Sequence, residues 1–182
     1  MATLRPIGIV RNGIKAPSLR ATRDGLSLGQ RMEEFRARHR RTREMVSRLV
    51  LDERFEALLE GLDGFSHILV LYWPHLVAEE RRDLQLVHPM GCTDIPKQGV
   101  LATCSPARPN PILVTACRLL GIEKATLSVQ GLEAVDGSPI LDIKPYNPGY
   151  YRVESPTVPP WMEALRDGLA EENDPADTSP ES

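Results

Sequence analysis

Between Gln98 and Tyr146 the chain carries four apolar runs, QGVLATC, ILVTACRLL, KATLSVQGLEAV and SPILDIKPY, separated only by turn residues: the proline stretch SPARPNP, then GIE, then DGS. The runs are rich in β-branched and aliphatic residues, which fit a pleated, half-buried surface. No helical period lies between them. Short strands joined by tight turns predict an antiparallel sheet or a small antiparallel barrel.

Further strands belong to the same sheet. FSHILVLYWPHL, Phe65 to Leu76, is the strongest strand signal in the chain, apolar on both faces and stopped by Pro74. RPIGIVRN reads as a first strand ended by Gly13, and MVSRLVLD as another. ERFEALLEGLDG reads as a short helix closed by glycine. A helix is predicted from about Ser27 to Arg40, with Ser27 as its N-cap. Residues 14–27 read as loop, and 77–97 as a long polar connection. The expectation is a mainly β protein with α insertions: one domain over 1–168, an arginine-rich helical insertion at about 27–48, and an acidic, disordered tail over 169–182.

Charge and cysteine usage narrow the class. Nine arginines fall between Arg20 and Arg48, yet the formal net charge is -3, which argues against a nonspecific nucleic-acid coat. Same-face glutamates make a solvated helix the default for the arginine-rich segment, with a nucleic-acid footprint as its rival. No apolar run approaches the roughly 20 residues of a membrane span. MATLRPIGIVRNG lacks a signal-peptide layout, and the three cysteines form no CxxC, so reduced thiols and a cytoplasmic location are expected. GxGxxG, GxxxxGK[ST] and GxSxG are absent, which removes support for dinucleotide enzymes, P-loop NTPases and serine hydrolases.

Three stretches carry candidate chemistry. In ATCSPARPNPI, Ser105, Arg108 and Asn110 each precede a proline. Proline holds its predecessor extended, so these polar side chains are preorganised for a ligand, or simply sit on a rigid edge loop. In DGSPILDIKPY, period two places Ile140, Asp142, Lys144 and Tyr146 on one face and Leu141, Ile143 and Pro145 on the other. A carboxylate, an amine and a phenol in line suit acid–base or anchoring work, and equally a solvated face. His67 and His75 flank the central strand. His67 reads as a packing residue, whereas His75 stands at a strand end, where binding residues concentrate. A zinc site from His75, His88 and Cys92 matches no strong motif, so no metal is expected.

GLDGFSHILVLYWPH, GVLATCSPARPNPI and GLEAVDGSPILDIKPY, in this order and with RPIGIVRN at the start, resemble the signatures of the TrmO/TsaA-like proteins. The resemblance spans roughly residues 5–12 and 50–150. It implies a small β-barrel outside the Rossmann-type methyltransferases, usually a homodimer with the cofactor near the subunit contact. It implies S-adenosylmethionine as methyl donor and N6-methylation of threonylcarbamoyladenosine beside the tRNA anticodon. The implied partners are tRNA and a second copy of the chain, with neither DNA nor membrane.

By the same resemblance the cofactor positions fall on His75, Leu76, Cys104, Val114, Asp136, Gly137, Ser138 and Pro139. Asp142, Lys144 and Tyr146 are the implied catalytic block, with Asp142 or Tyr146 as proton acceptor and Lys144 tuning the charge. Arg108 and Asn110 would anchor the substrate. The chain departs from the family pattern at Cys104, usually arginine, and at Leu113, usually glycine. A longer arginine-rich insertion also replaces the family's short N-terminal loop. Three alternatives therefore stay open: methylation of a small molecule or protein, a cofactor sensor, and an RNA-binding barrel without turnover.

Overall fold

Alternation closes the sheet. In β2 (Val46–Leu51) the buried residues are Ser47, Leu49 and Leu51; in β3 (His67–Tyr72) they are Ile68, Val70 and Tyr72; in β7 (Thr126–Gln130) they are Leu127 and Val129. With β1 (Gly8–Arg11), β6 (Leu113–Glu123) and β8 (Pro139–Pro145) they form a closed six-stranded barrel in the order β1-β2-β7-β6-β3-β8. Every neighbouring pair is antiparallel. The computed structural model describes residues 3–16 and 28–170. The predicted cap at Ser27 and the tail beyond 170 lie outside the described residues.

The inward side chains form one core, to which Leu132 and Ala134 add from the segment after β7. A small barrel is filled by its own side chains, so a ligand must bind at the rim or on the outer surface. Packing is close at β1, where a Cβ on Gly8 would stand 2.4 Å from the Val50 carbonyl oxygen.

Two short strands, β4 (Leu86–Val87) and β5 (Gln98–Gly99), pair outside the barrel. Helix α1 (Leu28–Glu44) packs on β7 and on α3 (Pro160–Ala170), and α2 is the single turn Pro148–Tyr151. The 77–97 connection is anchored by its own small core, in which Cys92 and Ile95 pack with Leu165 of α3.

Several sequence expectations are corrected. QGVLATC is not a barrel strand: after Gly99 the chain coils into a 3-10 turn over Val100–Ala102, closed by Thr103, whose hydroxyl donates to the Val100 carbonyl at 2.9 Å. GIE is not a turn. β6 runs through it, the register shifts between Leu119 and Gly121, and the reversal falls at Lys124–Ala125. KATLSVQGLEAV leaves the sheet after Gln130, where Gly131 takes φ +91°. ERFEALLEGLDG forms two 3-10 turns rather than an α-helix. A bulge in β8 also breaks the assumed period, since Tyr72 pairs with Ile140 but Leu71 pairs with Asp142. Ile140 therefore points into the core and leaves the face that Asp142 and Lys144 share.

Candidate active site

Register and burial define the outer face of β6-β3-β8 row by row. One row is Val114, Leu71, Asp142; the next is Ala116, Leu69, Lys144. The third begins Arg118, His67 and reaches Tyr146, whose N–H donates to the His67 carbonyl at 3.0 Å. The intervening rows, Thr115, Val70, Ile143 and Cys117, Ile68, face the core, and Pro145, which pairs with Ile68, is exposed at the end of β8. The implied catalytic block and Val114 thus share one outer surface, floored by the half-buried Leu69 and Leu71.

Of the remaining cofactor positions, His75, Gly137, Ser138 and Pro139 meet at the rim beyond the Val114 row. Trp73 N–H donates to the Pro139 carbonyl at 2.9 Å, carrying the end of β3 alongside the 135–138 turn. Ser138 Oγ then lies 3.4 Å from His75 Nδ1, and a Cβ on Gly137, which has φ +81°, would stand 3.8 Å from His75 Nε2. Leu76 and Val114 are exposed apolar side chains at this end. Leu113 pairs with Tyr72 and packs against the core.

Asp136 does a different job. Its carboxylate accepts from Asn12 N–H at 3.0 Å and Lys15 Nζ at 2.9 Å, with Arg11 at 3.9 Å. The Lys15 bond, then the Asn12 bond, hold its pKa below the ordinary value. These contacts pin the 135–138 turn to the end of β1, where Gly137 N–H donates to the Val10 carbonyl.

Asp142 and Lys144 pair at 2.7 Å with both side chains about half exposed, and Asp142 Oδ1 accepts its neighbour Ile143 N–H at 2.9 Å. The Asp142 bond raises the Lys144 pKa above its ordinary value. An exposed pair of this kind is worth about 0–1 kcal/mol, so a ligand can open it. Along β8, Asp142 and Tyr146 are about 13 Å apart at roughly 3.3 Å per residue. Asp142 lies toward the His75 rim and Tyr146 toward the opposite end.

The proline stretch enters β6 at this same rim. Pro111 is fully buried and anchors it; Arg108 is half-buried, and Cys104 and Asn110 are exposed. Arg108 N–H donates to the Pro106 carbonyl and Ile112 N–H to the Asn110 carbonyl, so the loop is turned on itself. Among the described residues no hydrogen bond or ion pair joins the side chains of Cys104, Arg108 or Asn110 to the catalytic block.

Sequence reasoning missed two supports. Asn12 donates from Nδ2 to Ser47 Oγ at 3.1 Å and to the Ala134 carbonyl at 2.9 Å, while its Oδ1 accepts Ile14 N–H. The Asn-Gly after an alternating strand was its only signal. Arg38 of α1 pairs with Glu133, and the Glu133 carbonyl accepts from Tyr72 Oη at 3.2 Å. Burial lowers the Arg38 pKa, and burial raises that of Tyr72 against the opposing Thr115 bond. No spacing in a charged helix singles out one arginine. Among the described residues no group of three or more His, Cys, Asp or Glu is placed to hold a metal ion, and His88 instead donates from Nδ1 to the Ile95 carbonyl.

Fold and site define a class: a small antiparallel barrel, filled inside, with a polar and apolar candidate site on its outer sheet and rim. The chain belongs to the tRNA-methyltransferase O N-terminal domain family, whose sequence pattern matches residues 33–151. It is 40% identical over 143 residues to a probable S-adenosyl-L-methionine-binding protein of Methanothermobacter thermautotrophicus, covering 79% of this chain and 88% of that one. It is 34% identical over 145 residues to an S-adenosyl-L-methionine-binding protein of Archaeoglobus fulgidus, covering 80% and 89%. A crystal structure of TrmO from P. aeruginosa superposes with a TM-score of 0.62 at 25% identity, covering 88% of this chain and 62% of that chain. The chain therefore spans less than two thirds of that solved relative.

Proposed function

We propose that this chain binds S-adenosylmethionine at the barrel rim and transfers its methyl group to N6 of threonylcarbamoyladenosine beside a tRNA anticodon. The observation that carries the reading is the continuity of the His75–Gly137–Ser138 rim with the Val114, Leu71, Asp142 row. The residues present fit the cofactor. Exposed Leu76 and Val114 offer apolar contact, the Gly137 turn leaves room beside the His75 ring, and Asp142 supplies a hydrogen-bonding group, while the buried Ser138 stands behind His75 with Oγ 3.4 Å from its Nδ1.

When bound, S-adenosylmethionine supplies a methyl group on positively charged sulfur, which leaves as a neutral thioether. The protein's task is to hold the acceptor nitrogen in line at about 3–3.5 Å. The lone pair of a substituted adenine nitrogen is delocalised, so removal of its proton assists attack. Asp142 accepts that proton as the nitrogen–carbon bond forms, with Lys144 paired to its carboxylate at 2.7 Å. Tyr146, about 13 Å away along β8, contacts substrate instead. Arg108 and Asn110 anchor the threonylcarbamoyl arm.

The exposed apolar outer face is covered by a second copy, which makes the working form a homodimer. A tRNA substrate places the protein in the cytoplasm. No helix among the described residues is long and apolar enough to cross a membrane.

The test is transfer from labelled S-adenosylmethionine to two tRNA pools, one carrying threonylcarbamoyladenosine and one lacking it, with nucleosides resolved by mass spectrometry. Label on that nucleoside alone is the expected result, reduced at least a hundredfold by Asp142→Asn. Unchanged turnover in both Asp142→Asn and Tyr146→Phe sinks the assignment of roles. Cys104, a poor substitute for an arginine's charge and bidentate donors, favours one rival, a cofactor sensor. Cofactor binding with no label on either pool would select it or another acceptor.

A further inference from the structure

Three of the chain's four tyrosines stand together just past the end of β8. The Tyr146 and Tyr151 rings stack with centroids 5.8 Å apart at 22°, and Tyr150 meets Tyr151 edge-on at 6.5 Å. Tyr150 is 83% exposed and Tyr151 40%. They are held in place. Asn147 opens α2 by accepting Gly149 N–H at 2.9 Å, Pro148 stiffens its first turn, and Tyr146 is tied to β3 through the His67 carbonyl. Folding gains little from rings left this open to water, so their fixed, exposed arrangement calls for another explanation.

The charges beside them indicate the occupant. Arg118 shares the outer row of His67 and Tyr146, and Arg152 directly follows the tyrosines; neither makes an ion pair among the described residues. Aromatic faces next to uncommitted cations are the composition of a single-stranded nucleic-acid platform, where bases stack and phosphates meet arginine. A purely apolar partner would leave both guanidinium groups without a counter-charge.

We propose that Tyr146, Tyr150 and Tyr151, with Arg118 and Arg152, form a stacking platform for an unpaired RNA base close to the acceptor nucleotide. The platform begins about 13 Å along β8 from Asp142, so it reads a neighbour and leaves the acceptor to the rim. This deepens the tRNA reading and rests on it.

The experiment measures binding of a fluorescein-labelled anticodon stem-loop carrying threonylcarbamoyladenosine, by anisotropy at several salt concentrations, alongside S-adenosylmethionine affinity by calorimetry. Tyr150→Ala and Tyr151→Ala are each expected to weaken RNA binding about tenfold, with cofactor affinity and thermal midpoint unchanged. Tyr150→Phe, which keeps the ring, binds as the parent does. Arg118→Gln lowers the salt slope by about one. A Tyr150→Ala/Tyr151→Ala double variant that binds RNA like the parent overturns the platform, as does one that loses only self-association. If the parent binds no RNA and methylates no tRNA, the tRNA reading fails first and takes the platform with it.

Discussion

Cys104 is an exposed thiol in the proline stretch that leads into β6, while Cys92 and Cys117 are buried. Burial pushes the Cys117 thiol up to about 12, which leaves it protonated and unreactive in the folded protein. One fast equivalent of a thiol reagent is therefore expected under native conditions, at Cys104 by peptide mapping, and three after denaturation. Saturating S-adenosylmethionine should slow the native reaction. Equal labelling of all three sites would mean that the buried pair opens readily. Asp136 yields a second test at this scale. Its folded pKa is depressed, so its contribution to stability is present above the unfolded carboxylate value near 3.9 and is lost as pH falls through the folded value. Urea midpoints from pH 6 down to pH 3 should fall further for the parent than for Asp136→Asn. Parallel curves would show that the Lys15 and Asn12 contacts add nothing to stability.

The elements differ in how plainly the sequence displays them. Ser47, Leu49 and Leu51, or Ile68, Val70 and Tyr72, show one-sided burial because alternation is a local property of an extended chain. QGVLATC has the same composition but no free barrel edge to join, so its apolar Val100 is buried from a 3-10 turn instead. Bulges are equally hidden: the shifts at β8 and near Gly121 come from closing the barrel, which local pattern does not encode. The candidate site was legible where it lies on one strand, as Asp142 and Lys144 do, and where motif order carried it, as at His75 and Gly137. Asn12 was not legible, because its value comes from Ser47 and Ala134, residues far away in sequence. It bridges the end of β1 to β2 and to the segment before the rim turn. Asn12→Ala is expected to cost about 1–3 kcal/mol, since it strands partly buried partners, and to weaken cofactor binding. Chemical denaturation and calorimetry check both. A large stability loss with unchanged cofactor affinity would show that Asn12 supports the barrel and leaves the rim turn in place.

For the whole molecule, the barrel's interior is filled by its core and the candidate site lies outside it. Val114, 56% exposed, and the exposed Ala116 lie beside the half-buried Leu71 and Leu69 on one sheet face. An exposed apolar patch bordered by charges marks a protein interface, and a second copy would bury it. Ala116 is the position to test this, because it sits on the face without belonging to the cofactor or catalytic set. Ala116→Asp adds a charge that an apolar contact would have to desolvate, while in an isolated barrel the same side chain stays in water. Sedimentation should show the parent as a dimer and the variant as a monomer. Thermal midpoints should depend on protein concentration for the parent alone, because association stabilises by mass action. Cofactor affinity should fall in the variant if the partner completes the rim. A variant that remains dimeric would place the contact elsewhere, and a monomeric parent with full affinity would make one barrel sufficient for the site.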